Sequence, residues 1–374
     1  MDLIGMINRE RVLATFFELL SINSPSYGET AIARVLSARL KTLGFKVRRQ
    51  KYEGSFNLIA KKKGVSGDPP IMLSAHMDTV EPTDGLSYGE FDGVIKSLGA
   101  TILGADDKCG MAEILEALAA LLQHGLPHPD IEVVFTSVEE RGLVGAGHLD
   151  FSLIKSRHAL VLDSHGRVGK VVLKAPTHYT YNMTVTGRAA HAGIEPEKGI
   201  SSIRAAAMII STLEDGRIDD ETTANVGVIS GGTATNVVPL ETFIKGEVRS
   251  HDDAKLQRVK SGIYDSARHS ALKCGATLKI DEKLEYSGFK IDREDPFSKL
   301  LAQVFAACGL EVEYTASGGG SDANVFNRNG ITALNLSCGM QQPHTTQEHI
   351  HVEDLTLGSA VALGTITGFS GLKR

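Results

Sequence analysis

The segment Ile71-Met72-Leu73-Ser74-Ala75-His76-Met77-Asp78-Thr79 runs from an apolar stretch into a histidine and, two residues on, an aspartate. A short apolar run that ends in polar residues reads as a buried strand. Side chains two positions apart on an extended chain point to the same face. His76 and Asp78 can therefore work together. An imidazole that holds a metal gives its second ring N–H to a carboxylate or carbonyl, which fixes its tautomer. His-x-Asp alone is more often just a polar strand end, so its meaning depends on the rest of the chain.

The same arrangement recurs downstream. Gly104-Ala105-Asp106-Asp107-Lys108-Cys109-Gly110 leads into an apolar helix expected over Met111 to Gln123. Ile131 to Thr136 is a strand followed by Glu139-Glu140, and Ala159 to Leu162 is a strand ending in Asp163. Upstream, apolar residues at helical spacing predict helices over Arg9–Leu20 and Thr30 to Leu43. This alternation predicts an α/β fold with a mixed, mostly parallel sheet flanked by helices. In such sheets ligands gather at the carboxyl ends of strands. His76, Asp106, Glu139, Glu140 and Asp163 then share one edge. The Gly- and Asp-rich span from Val80 to Thr101 reads as a long loop with a hairpin, and Gly145-Ala146-Gly147 is expected to open a further helix.

The pattern changes after Ala175-Pro176-Thr177. Strand, helix, strand, strand, helix, strand follow, the order of a ferredoxin-like α+β unit. The expected organisation is residues 1–176 and 288–374 as one domain, with residues 177–287 inserted into it. In the second segment Gly318 to Asp322 reads as a flexible loop without the lysine of a phosphate loop. Thr332 to Leu336 reads as a buried strand, and the last helix runs from Val352 to about Phe369.

Composition narrows the function. The chain has 374 residues, 42% hydrophobic and 22% charged, which is ordinary for a soluble globular protein and long for a single core. A net charge of -6 argues against nucleic acid or an anionic membrane as the main partner. Cys109, Cys274, Cys308 and Cys338 form no C-x-x-C pair, so reduced thiols and a cytoplasmic location are expected, with Cys109 as packing. No transmembrane run and no signal-peptide pattern at Met1-Asp2-Leu3-Ile4 is seen.

The strand-end residues are oxygen and nitrogen donors of the kind that hold two divalent cations while leaving a position for water. A carboxylate such as Asp106 can bridge two metals through both oxygens. His76 and Asp163 can complete one site, Glu140 and a later histidine the other. Glu139, beside a ligand, can take a proton from water whose pKa a metal lowers to about 7.

The order and company of these motifs resemble the co-catalytic zinc metallopeptidase family that contains peptidase T, glutamate-releasing carboxypeptidases, aminoacylase and succinyl-diaminopimelate desuccinylase. The resemblance covers nearly the whole chain. It rests on Ser74 to Thr79, Gly104 to Gly110, Glu139-Glu140, Asp163 and the turn His344-x-x-x-Glu348. It implies two zinc ions (cobalt or manganese are also suited). His76, Asp163 and Asp106 would hold one, and Glu140, His344 and Asp106 the other. Glu139 would be the general base, and Asp78 would orient His76 and count as catalytic. The peptide bond after Asp106 would be cis.

The resemblance extends to the inserted domain, which would act as a lid and dimerisation domain. Gly187 to Gly193 resembles the family's lid segment, whose histidine, here His191, enters the active site of a partner subunit of a homodimer. Asn236 and Arg249 resemble its substrate-binding residues; an arginine fork matches a substrate carboxylate. The Ser-Ala-His-Met-Asp and Ala-Asp-Asp-Lys motifs are most similar to the peptidase T-like branch. That implies an aminopeptidase acting on short peptides, tripeptides foremost. A carboxypeptidase or N-acyl-amino-acid deacylase of the same family is the alternative, and a non-catalytic interaction protein the third reading.

Overall fold

The computed structural model describes residues 1–369. The chain divides into two compact units. The first comprises Met1–Lys174, Lys290–Ser317 and the chain from Ser321 on; the second comprises Ala175–Phe289 and Gly318–Gly320.

The first unit is built on a nine-stranded mixed sheet. Its middle strands run Ile131–Thr136, Ile71–His76, His158–Ser164, Thr332–Ser337, and all three junctions between them are parallel. Toward the flanks most pairs are antiparallel: Lys46–Tyr52 pairs with Ser55–Lys62, which pairs with Ile131–Thr136, and Lys170–Ala175 pairs with Thr332–Ser337, while Glu313–Ala316 adds to Lys170–Ala175 in parallel. Ile71–His76 and Ile131–Thr136 are buried at every position, which is why they read as largely apolar runs. Helices Arg9–Leu20, Ala105–Gln123 and Val352–Gly368 pack together, burying Phe16, Leu118, Leu355 and Leu363 in one core. Tyr88–Phe91 and Val94–Ser97 form the expected hairpin, which joins Met340–Gln341 and His349–His351 in a small second sheet.

Two local expectations are corrected. Val144–Gly147 is a single turn, because two glycines in four residues cannot sustain a longer helix. The segment after Gly320 is not all loop: Asp322–Arg328 is a helix, begun where Asn324 Oδ1 accepts the Ser321 N–H at 3.1 Å.

The second unit is a five-stranded antiparallel sheet in the order Gly216–Asp219, Thr222–Gly231, Glu241–Ser250, Thr177–Thr186, Thr277–Tyr286. Leaving aside the short edge strand Gly216–Asp219, the long strands lie second, third, first, fourth, the order of a split βαβ fold. Helices Ser202–Thr212 and Asp253–Lys273 bury Ala205, Ile209, Leu256 and Ile263 against Met183, Val185, Ile244 and Val248.

Candidate active site

His76, Asp106, Glu140, Asp163 and His344 converge in the first unit. His76 ends its strand and presents Nε2 at 2.9 Å from Asp106 Oδ1 and 3.5 Å from Asp163 Oδ1. His344 sits in the loop after Met340–Gln341 with φ +63. Its Nε2 lies 3.1 Å from Asp106 Oδ2 and 3.0 Å from Glu140 Oε1. Asp106 therefore faces one histidine with each oxygen. Gly104 with φ +72 and a cis peptide between Asp106 and Asp107 shape the backbone that aims it.

A layer of buried groups fixes these residues. His76 Nδ1 lies 2.8 Å from the main-chain oxygen of Asp78, while the Asp78 carboxylate is 3.6 Å away. The carbonyl is thus the nearer partner of the ring, which refines the expected role of Asp78. Its carboxylate is spent elsewhere: Oδ1 accepts the Glu139 N–H at 2.9 Å, and Oδ2 accepts the Glu140 N–H at 3.2 Å and the Ser26 hydroxyl at 2.7 Å. Glu348, the last residue of the His344 motif, accepts the N–H groups of Gly104 at 2.6 Å and Asp106 at 3.0 Å. Asp107 turns away from Asp106 and accepts the His76 N–H at 3.1 Å and the Gly110 N–H at 3.2 Å.

Four residues to which the sequence assigns no site role belong to this layer: Ser26, Glu29, Asp107 and Asp322. The Glu29 carboxylate accepts the Val138 N–H at 3.0 Å. Asp322 accepts the Thr136 hydroxyl through Oδ2, and its buried Oδ1 has no hydrogen-bond partner among the described residues. The Ser321-Asp322 junction after three glycines was a helix-start signal that could have found it.

Crowded carboxylates set the electrostatics. Burial works against charge on His76, yet hydrogen bonds to Asp106, Asp163 and Asp78 push its pKa well above the ordinary range. Asp106 and Glu140 raise His344 to about 10. Burial opposes charge on Asp106, but hydrogen bonds from His344 and His76 hold it well below the usual carboxylate range. Burial raises Glu139 strongly, with Asp163 and Glu140 adding to it against the pull of His76. Burial likewise lifts Glu348 and Asp322 to about 7.

The donor set fits metal ions. Ligand atoms of His76, Asp106 and Glu140 lie within 4.8 Å of one another, as do those of His76, Asp107 and Asp163. Among the described residues the only basic groups ion-paired with Asp106, Glu140 and Asp163 are the two histidines. Buried carboxylates without a lysine or arginine call for a cation. A third group, Asp107, Cys109 and Cys338, meets the same distance limit. Its sulfurs lie 3.1 Å apart and both cysteines are buried in the hydrophobic core, where burial pushes the Cys109 thiol up to about 12.

Residues 72–367 match the model of the peptidase family M20/M25/M40. The chain belongs to that family.

This M20 peptidase is a hydrolase of the metallopeptidase kind. It is 38% identical over 366 residues to the uncharacterized protein YqjE of Bacillus subtilis, covering 96% of this chain and 99% of that one. A solved aminopeptidase PepT of Bacillus cereus is 38% identical with TM-score 0.90, covering 98% of this chain and all of that one. A solved tripeptidase of Staphylococcus aureus is 34% identical with TM-score 0.93 over the same shares. The fold is therefore that of these M20 structures, a large mixed sheet flanked by helices.

The remaining candidates of the M20 chain lie in the second unit. His191 and Val237 form an isolated antiparallel bridge, and the Ala192 N–H donates to the Asn236 carbonyl at 2.9 Å, so the His191 and Asn236 segments run side by side. Arg249 donates Nε and Nη2 to the two oxygens of Glu247 at 3.0 and 3.1 Å, and Nη1 lies 3.3 Å from the Tyr286 hydroxyl. His178 Nε2 is 3.1 Å from the same Glu247. That histidine and Arg249 hold the Glu247 carboxyl down to about 2. No described helix is long and apolar enough to cross a membrane.

Proposed function

We propose that this M20 peptidase is a two-metal aminopeptidase of the peptidase T kind, removing the N-terminal residue from short peptides, tripeptides foremost. The observation that carries the reading is Asp106 set between two histidines, one on each oxygen. In this reading His76, Asp163 and Asp106 hold one divalent cation, and Glu140, His344 and Asp106 the other. Zinc suits such donors, and cobalt or manganese are accepted by them too. When bound, the ions lower the pKa of water and place positive charge beside the substrate carbonyl.

The chain's own residues do the rest. Glu139 is a buried carboxylate beside Glu140, and burial raises its proton affinity. It takes the proton of the attacking water and returns it to the leaving amine. Asp78 holds the peptide groups of that pair and, through its carbonyl, the ring of His76. His191, Asn236 and Arg249 bind the substrate, His191 from the partner subunit of a homodimer. The identities to a PepT aminopeptidase and a tripeptidase favour free-amine substrates over the N-acyl substrates of a deacylase. Four free cysteines accord with the cytoplasm.

The test is turnover of di-, tri- and tetrapeptides, free and N-blocked, by metal-loaded protein. Hydrolysis of free tripeptides with release of the first residue is expected. Cleavage of blocked substrates alone would replace the aminopeptidase with a deacylase, and release of the last residue with a carboxypeptidase.

A further inference from the structure

Glu29 lies just before the helix Thr30–Thr42, far in sequence from any donor of the metal centre. It is 1% exposed, and no lysine, arginine or histidine forms an ion pair with it among the described residues. A buried carboxylate without a cationic partner costs stability unless N–H or O–H groups satisfy it. Here Oε1 accepts two peptide N–H groups, of Tyr27 at 2.9 Å and of Val138 at 3.0 Å, and Oε2 faces the Ser55 hydroxyl at 3.5 Å. The Ser55 hydroxyl in turn reaches Ser137 Oγ at 3.1 Å, and Tyr52 reaches it at 2.8 Å.

Val138 is the unusual partner. Its φ is +56, a region β-branched residues rarely adopt, and its side chain is fully buried. Three successive peptide N–H groups, of residues 138, 139 and 140, are each taken by a carboxylate: Glu29 holds the first, Asp78 the other two. Asp78 fixes where the Glu139-Glu140 backbone lies. The turn that leads into it depends on Val138 keeping its left-handed conformation.

We infer that Glu29 is a positioning residue for Glu139 and Glu140, acting through the Val138 N–H. Its catalytic consequence rests on the proposed role of Glu139 as base; its effect on the turn does not. A misplacement of about 1 Å at a reacting group can cost up to about a hundredfold in rate, so a loosened turn shows in kcat, while substrate contacts, and hence KM, stay in place.

The experiment compares three variants of the full chain. Glu29→Gln keeps an oxygen for both N–H groups and offers its amide to Ser55. Glu29→Asp keeps the charge but withdraws it by one methylene. Glu29→Ala removes the acceptor. Hydrogen exchange at residues 137–140 in metal-free protein reads the turn directly; metal content by mass spectrometry and kcat and KM on a tripeptide read the consequence. Expected are fast exchange and a kcat lowered about tenfold or more in Glu29→Asp and Glu29→Ala, with KM little changed, and near-parent behaviour in Glu29→Gln. Unchanged exchange in the Asp variant overturns the inference, even where the Ala variant fails to fold. So does a Gln variant as impaired as Asp, since charge rather than the hydrogen bond would then matter. If exchange behaves as expected but Glu139→Gln turns over normally, the positioning stands and the assignment of the base falls.

Discussion

The carboxylate of Asp78 holds the peptide N–H groups of both Glu139 and Glu140, one on each oxygen, at 2.9 and 3.2 Å. Its main-chain oxygen holds His76 from the other side at 2.8 Å. One residue thus ties the ring of His76 to the backbone of Glu139, the proposed base, by two different groups.

Replacing only the carboxylate separates these roles. Asp78→Asn leaves the carbonyl and therefore the His76 ring in place, but puts an amide NH2 opposite one of the two peptide N–H groups. Metal content should stay near that of the parent, while kcat falls about ten- to a hundredfold, the range found for partners one layer behind a metal site. Metal analysis beside steady-state kinetics checks this, and loss of metal in parallel with activity would move Asp78 into the metal-holding set.

Glu139→Gln is isosteric and removes the proton acceptor. Turnover should drop by two to four orders of magnitude, roughly the worth of a general base, with metal content and thermal midpoint close to the parent. Normal turnover by this variant, measured on a free tripeptide, would remove Glu139 from the mechanism.

In the proposed centre, protons and metal compete for the two histidines. Without metal both have folded-state pKa values above the ordinary 6.5, His344 at about 10. Protonation of His344 therefore stabilises the metal-free fold fully below about pH 6.5, and that contribution fades as the pH rises to about 10. Two consequences can be measured. Metal binding near pH 7 should release the proton of His344, seen as a buffer-dependent heat in calorimetry that is reduced in His344→Ala. The melting temperature of metal-free protein should fall between pH 7 and 10 with a steeper slope than in His344→Ala.

Glu348 accepts two peptide N–H groups that shape the Asp106 loop. In Glu348→Gln one of these N–H groups meets an amide nitrogen. A loss of about 1–3 kcal/mol is expected for a buried donor left unsatisfied, together with weaker metal retention. Denaturant unfolding and dialysis against a chelator read the two effects separately.

Much of the centre was legible because its residues are chemically distinctive and sit where apolar runs stop. His76, Asp106, Glu139, Glu140 and Asp163 each follow or end a segment whose burial is written in its composition. Glu29 was not legible, since its partner Val138 is 109 positions away and an acid before a helix reads as an ordinary helix start. Asp322 was hidden by three glycines that suggested a loop. The partial rerouting of Asp78, from the His76 ring to the Glu139-Glu140 backbone, could not be read from period-two spacing. That spacing says which face a side chain takes and not which donor reaches it first. The single turn Val144–Gly147 shows the reverse error, a helix expected to open at Gly145-Ala146-Gly147 where the glycines forbid its growth.

Anomalous diffraction from zinc-loaded crystals tests the central claim most directly. Two peaks are predicted, each about 2.0–2.2 Å from a different oxygen of Asp106, one also bound by His76 and Asp163 and the other by Glu140 and His344. A single ion, or a peak on Cys109 and Cys338 with none between the histidines, would contradict it.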